Sequence, residues 1–133
     1  MKFNIGQKAQ FSKTISESDV YLFAGITGDM NPIHVNEVFA KTTRFGKRIV
    51  HGMLVSSFIS SALSMKLFGE NTVYVSQEIK FLKPVFIGDT ISVTLEIIEI
   101  MEKGRHRVSS CIYNQEDVMV VEGISIVIPP RVD

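Results

Sequence analysis

Apolar positions along the chain fall into two textures. From Ser18 to Phe68 they recur at helical spacing interrupted by polar loops, and from Thr72 onward they form β-branched runs that alternate with polar residues between turn signals. A helical half followed by a stranded half predicts an α+β fold.

Ser16, Glu17, Ser18 and Asp19 offer N-cap side chains ahead of Val20, Leu22, Phe23 and Ile26, so a short amphipathic helix is expected there, ending near Gly28. Gly28 to His34 is expected to be an irregular polar loop, because Pro32 lacks an N–H and pushes Asn31 out of the helical region. Asn36 to Thr43 predicts another short helix, and Arg44 to Arg48 a basic turn. Met53 to Phe68 holds ten apolar residues, five serines and one charge, so the helix it forms, ~24 Å long at 1.5 Å per residue, is apolar or small nearly all round and is expected to be buried. Ser56, Ser60 and Ser64 fall on one face of that helix, where small side chains admit a close neighbour or a ligand.

In the second half, Val73, Val75, Ile79 and Phe81 alternate with polar residues as in a strand with one wet face, and Pro84 with Gly88-Asp89 marks the next turn. Ile91, Val93, Leu95 and Ile97 share one parity while Ile98 and Ile100 take the other, which predicts a bulge near Ile97. Val108–Tyr113 and Val118–Ile128 supply two more strands, and Phe3–Phe11 a first one. About five antiparallel strands, twisted enough to curve, can wrap the long helix.

Composition narrows the function. A length of 133 residues predicts a single domain over residues 1–133, and 45% hydrophobic against 21% charged residues predicts a folded core. Fourteen basic residues balance fourteen acidic ones, so the broad positive field of a nucleic-acid binder is missing. The longest apolar run carries five serines and Lys66, and the first residues lack a signal-length apolar stretch; no membrane partner and a cytoplasmic location are expected. The lone Cys111 reads as a small buried strand residue. His34, His51 and His106 fall at unrelated spacings without a CxxC or HxxxH, so no metal site is expected.

Phe23-Ala-Gly-Ile-Thr-Gly-Asp29-Met-Asn31-Pro32-Ile-His34, followed by Ala40, resembles the signature of the MaoC-like (R)-specific enoyl-CoA hydratases. Ile49-Val50-His51-Gly52-Met53-Leu54 resembles that family's entry into its central helix, and Lys83-Pro84-Val85-Phe86-Ile87-Gly88-Asp89 its strand-to-strand turn. The resemblance implies a hot-dog fold, an acyl-CoA thioester substrate, and a homodimer or higher homo-oligomer whose sheets join edge to edge with the substrate tunnel near the interface; no cofactor is expected, because an acid-base pair and a backbone donor account for every proton and charge in the reaction. It also implies Asp29 and His34 as the catalytic pair and matches a substrate-contacting serine to Ser60.

Adding water across the double bond of an enoyl thioester requires a base for water, a proton for C2 and a donor to the thioester oxygen. Asp29 and His34 can share one water, and syn hydration to an (R)-3-hydroxyacyl product is implied; either residue can be the first to take the proton. Gly52, at the start of the long helix, offers a backbone N–H as the oxyanion donor. Asn31 reads as holding the loop through backbone hydrogen bonding. His51 reads as structural. Lys41, Arg44, Lys47 and Arg48 suit either a solvated face or the phosphates of coenzyme A. The same residues fit a 3-hydroxyacyl-ACP dehydratase run in reverse. A hot-dog thioesterase would hydrolyse rather than hydrate, and a non-catalytic acyl-thioester binding module would have no use for both Asp29 and His34.

Overall fold

Ser16 opens the helical half of the computed structural model, which describes residues 2–131. Its hydroxyl accepts from the Asp19 N–H while the Asp19 carboxylate accepts from the Ser16 N–H, a capping box that starts helix α1 (Glu17–Thr27). Gly28, at φ 81°, ends it in the left-handed conformation that glycine adopts without steric cost. Two single-turn helices follow, α2 (Pro32–Val35) and α3 (Glu37–Ala40).

The long helix begins as α4 (Gly52–Ala62) and continues through a π-helical stretch, Leu63–Phe68. A wider turn has a reason here. It leaves Lys66 exposed while Leu63, Leu67 and Phe68 all reach the core, where Phe68 meets Phe3 edge to face at 4.9 Å.

Five strands form one antiparallel sheet: β1 (Lys8–Thr14), β2 (Val73–Phe81), β3 (Thr90–Ile100), β4 (His106–Tyr113) and β5 (Met119–Ile128), in the order β1-β3-β4-β5-β2. Leu54, Val55, Ile59 and Ala62 of α4 share one core with Ile91, Val93, Leu95 and Ile97 of β3, Val108 and Ile112 of β4, and Val121 and Val127 of β5. Beneath the sheet, the buried serines are paired: Ser125 donates to Ser110 at 2.9 Å, and the Gln77 amide donates to Ser110 at 3.1 Å. One long helix held on an antiparallel sheet is the hot-dog arrangement that the resemblance implied.

Several expectations change. The first strand is Lys8–Thr14 rather than Phe3–Phe11, because Gly6 turns the chain at φ 90° and Phe3 is buried against Phe68 instead. The bulge near Ile97 is present: Ile97 pairs with Val108 and Glu99 with Arg107, leaving Ile98 unpaired. A second bulge, unexpected, leaves out Val75 in β2, so that Tyr74, Gln77, Ile79 and Phe81 lie opposite the buried Val127, Ser125, Gly123 and Val121. Val73 and Ile79 therefore do not share a face. Nor is the long helix covered all round, since Met53, Ser57 and Ser60 make an exposed stripe along α4. Cys111 is half-buried on the outer side of β4, opposite Thr94, while Ser110 and Ile112 point inward.

Candidate active site

The expected loop is tighter than its sequence suggested. Asn31 caps α2 by accepting the Ile33 N–H at 3.2 Å, and Pro32 takes the first helical position, where its missing N–H costs nothing. The Asp29 carboxylate accepts the Asn31 N–H at 3.3 Å, and the Asp29 N–H donates to the Thr27 hydroxyl at 3.1 Å. Asp29 is thus exposed just beyond α1, while the single turn of α2 carries His34 inward to a buried position. His34 stands on a helical turn, not on an irregular loop.

The His34 Nδ1 lies 2.7 Å from the Ile49 carbonyl oxygen. A carbonyl only accepts, so Nδ1 carries the hydrogen and Nε2 keeps its lone pair. Burial lowers the His34 pKa from the usual 6.5, and nearby His51 adds to that; the Ile49 carbonyl and the Asp29 carboxylate push the other way. The net direction is downward, which favours the neutral ring and leaves Nε2 free to accept a proton.

His51, expected to be structural, holds the site from within and also lines its cleft. It is 2% exposed, its ring stacks on that of His34 with centroids 3.9 Å apart, and its Nε2 donates to the Asp29 carbonyl at 3.0 Å. Its Nδ1 is buried without a hydrogen-bond partner among the described residues. The other side of the ring meets Phe23 at 4.9 Å. Residues 34 and 51 lie too far apart in sequence for spacing to connect them, yet the fold brings ligand-type atoms of Asp29, His34 and His51 within 4.8 Å of one another. Lone pairs lie in the imidazole plane, and rings stacked at 3.9 Å and tilted by 29° cannot both direct theirs at a single ion ~2.1 Å away. The grouping suits proton chemistry better than metal binding.

A cleft of about 500 Å³ opens onto these residues. Asp29, His34, His51 and Gly52 line it together with an apolar wall that includes Ile49, Val55, Phe81 and Val121. Gly52 is the first residue of α4, where a backbone N–H has no intrahelical acceptor, and no hydrogen bond among the described residues uses it. A methyl group at this position would come within 2.9 Å of the Phe81 ring, so glycine also lets the aromatic wall close in. Asn31 supports the turn without lining the cleft. Ser60 is not brought to it: this exposed residue lies ~12 Å along the helix from Gly52.

The basic residues divide. Arg44 and Lys83 line the cleft, and Lys47 sits over the Phe86 ring at 4.3 Å. Arg48, read from sequence with the basic turn, is instead buried and bonded to Glu17, Glu37 and Tyr21.

Fold and cleft together define a hot-dog protein with acid-base groups beside a helix N-terminus. The model of the MaoC-like domain matches residues 2–119. The chain is 44% identical, over 94% of its length and 87% of the relative's, to an (R)-specific enoyl-CoA hydratase of Rhodospirillum rubrum. It is 41% identical to a 3-hydroxybutyryl-CoA dehydratase of Methylorubrum extorquens over 96% of this chain and 81% of that one. Among solved structures, the unliganded R-hydratase PhaJ1 of Pseudomonas aeruginosa superposes with a TM-score of 0.94 at 39% identity, covering 98% of this chain and 84% of that one. The chain belongs to the MaoC-like domain family.

Proposed function

We propose that this protein is an (R)-specific enoyl-CoA hydratase, a hydro-lyase that adds water reversibly and syn to a trans-2-enoyl-CoA to give the (R)-3-hydroxyacyl-CoA. Residues 2–119 carry the match to the MaoC-like domain, and in this reading the protein works as a cytoplasmic homodimer in fatty-acid metabolism. The observation that carries the reading is that Asp29, His34 with its Nδ1 held by the Ile49 carbonyl, and Gly52 with its N–H free of any hydrogen bond among the described residues line one cleft. The similar hydratase and dehydratase sequences point the same way.

In this reading a water rests between the Asp29 carboxylate and the His34 Nε2. As its oxygen bonds to C3, one O–H bond breaks and the proton passes to this pair. The alkene electrons move toward the thioester carbonyl, whose oxygen takes the developing charge against the Gly52 N–H and the positive end of α4. The pair then protonates C2 from the same face. Atoms balance with water alone, so no cofactor is called for. Arg44 and Lys83 at the cleft suit the phosphates of the carrier, and the apolar wall suits the acyl chain.

The test is a panel of enoyl thioesters, crotonyl and longer, on coenzyme A and on acyl carrier protein. Loss of the conjugated-thioester absorbance without release of free thiol is expected, fastest on coenzyme A. Thiol release instead would indicate a thioesterase, and preference for the protein carrier would indicate an acyl-carrier-protein dehydratase. Tight binding without turnover would leave only a binding module.

A further inference from the structure

We propose that Arg48 is a positioning residue for the hydration reaction: it clamps together the two helices that flank the catalytic turn and so fixes where Asp29 and His34 stand. The inference rests on the hydratase reading for its kinetic consequences, but not for its geometry.

Arg48 is 9% exposed, low for a guanidinium, and each of its nitrogens has a partner. Nη2 donates to the Glu17 carboxylate and Nη1 donates to the Tyr21 hydroxyl at 2.9 Å, both on α1. Nε donates to the Glu37 carboxylate on α3 at 2.9 Å. Between these two helices runs the whole of the turn that carries Asp29, Asn31 and His34. One side chain therefore ties the element before the turn to the element after it.

The backbone next to Arg48 completes the frame. The Ile49 carbonyl receives His34 Nδ1–H at 2.7 Å, the Ile49 N–H donates to the Ile33 carbonyl at 3.2 Å, and His51 donates to the Asp29 carbonyl at 3.0 Å. Three hydrogen bonds to the turn, at Asp29, Ile33 and His34, thus come from residues 49 and 51, directly after Arg48. Arg48 does not line the cleft, so substrate contact does not explain its burial. A planar fork satisfies three acceptors at fixed angles, which a lysine ammonium cannot reproduce.

Besides burial, the groups that act on the His34 ring are the Ile49 carbonyl, His51 ahead of α4 and Asp29 ahead of α2; Arg44 and Lys83 are the cations that line the same cleft. None of these changes in an Arg48 variant. Arg48→Lys also keeps the positive charge at position 48, so a shift in His34 titration in that variant reports a looser, wetter turn.

The experiment compares the full-length wild type with Arg48→Lys and Arg48→Met, reading kcat and KM on crotonyl-CoA, thermal melting, and titration of the His34 ring protons by NMR. Expected is a fall in kcat of about 10²-fold, as for a small misplacement of catalytic groups, with KM changed much less. The His34 pKa should rise toward its usual value. Variants that fold with unchanged kcat per folded molecule and unchanged His34 titration would overturn the proposal. If neither variant folds, Glu37→Gln decides it, since it removes one arm of the clamp at a half-exposed carboxylate. It should move kcat and the His34 titration in the same directions by less, and an unchanged pair would overturn the proposal. Absence of hydration by the wild type would defeat the functional reading alone, because the NMR titration needs no substrate.

Discussion

The atom bonded to His34 Nδ1 decides what His34 can do. With its hydrogen committed to the Ile49 carbonyl, the ring presents a bare Nε2, and burial keeps that nitrogen unprotonated further into acid than usual. Two outcomes follow at this scale. The acid limb of kcat/KM should lie below 6.5, the ordinary histidine value, and a limb above it in a pH–rate profile would contradict the assignment. Linkage has the same sign: the folded pKa is depressed, so the unfolded chain binds more protons in acid, and the contribution of His34 to stability is lost as pH falls below about 6.5. Asp29→Asn and His34→Gln should each lower kcat by about 10² to 10⁴-fold with the fold kept, the melting temperature staying close to wild type for the exposed Asp29 and falling for the buried His34, which gives up its stacking on His51, and the double variant should be little worse in kcat than the poorer single one. Additive losses would mean that the two residues do not act on one water. Asp29, Asn31 and His34 stood out in the sequence because they fall in one contiguous stretch, Phe23 to His34, that carries the family resemblance. His51 and Arg48 were not, since their partners lie on other elements, from Glu17 to Glu37, and no local spacing encodes a contact made by the fold.

At the scale of elements, legibility depended on whether a break in pattern shows. The bulge at Ile98 is visible because apolar residues appear on both parities of β3. The one at Val75 is hidden, since valines 73 and 75 keep in step with Ile79 and Phe81 in sequence while the chain slips by one in space. The π-helical end of the long helix was equally silent, because its cause is the need to bury Leu67 and Phe68 together. The start of α4 offers the sharpest test. Gly52 occupies the first helical position, where proline is well tolerated, and His51 already has the extended conformation, φ −54° and ψ 130°, that a following proline demands. Gly52→Pro therefore deletes the proposed oxyanion donor while keeping the helix start. A loss of about 10²- to 10³-fold in kcat is expected. Gly52→Ala retains the N–H while crowding Phe81 and serves as the steric control; kcat reduced equally in both would trace the loss to the Phe81 wall and remove the donor role.

At the scale of the molecule, the single chain leaves unfinished surfaces on the same side as its cleft. β2 ends the sheet with one edge unpaired, and Val73 and Phe81 on it are each 53% exposed. Met53, a cleft residue on the bare stripe of α4, is 61% exposed. An apolar, unpaired edge is a pairing template that folded proteins ordinarily cover. A second copy joined edge to edge at β2 would extend the sheet, and covering the Met53 side would close the open wall of the cleft. Sedimentation at micromolar concentration should accordingly give a dimer or a larger assembly. Val73→Lys with Val75→Lys, two charges on the edge strand, should shift the protein toward monomer, because edge lysines oppose strand pairing. If the partner completes the cleft, hydratase activity should fall with the dimer fraction and recover as concentration rises. A wild type that sediments as a monomer with full activity would show that one chain suffices and that these surfaces serve another purpose.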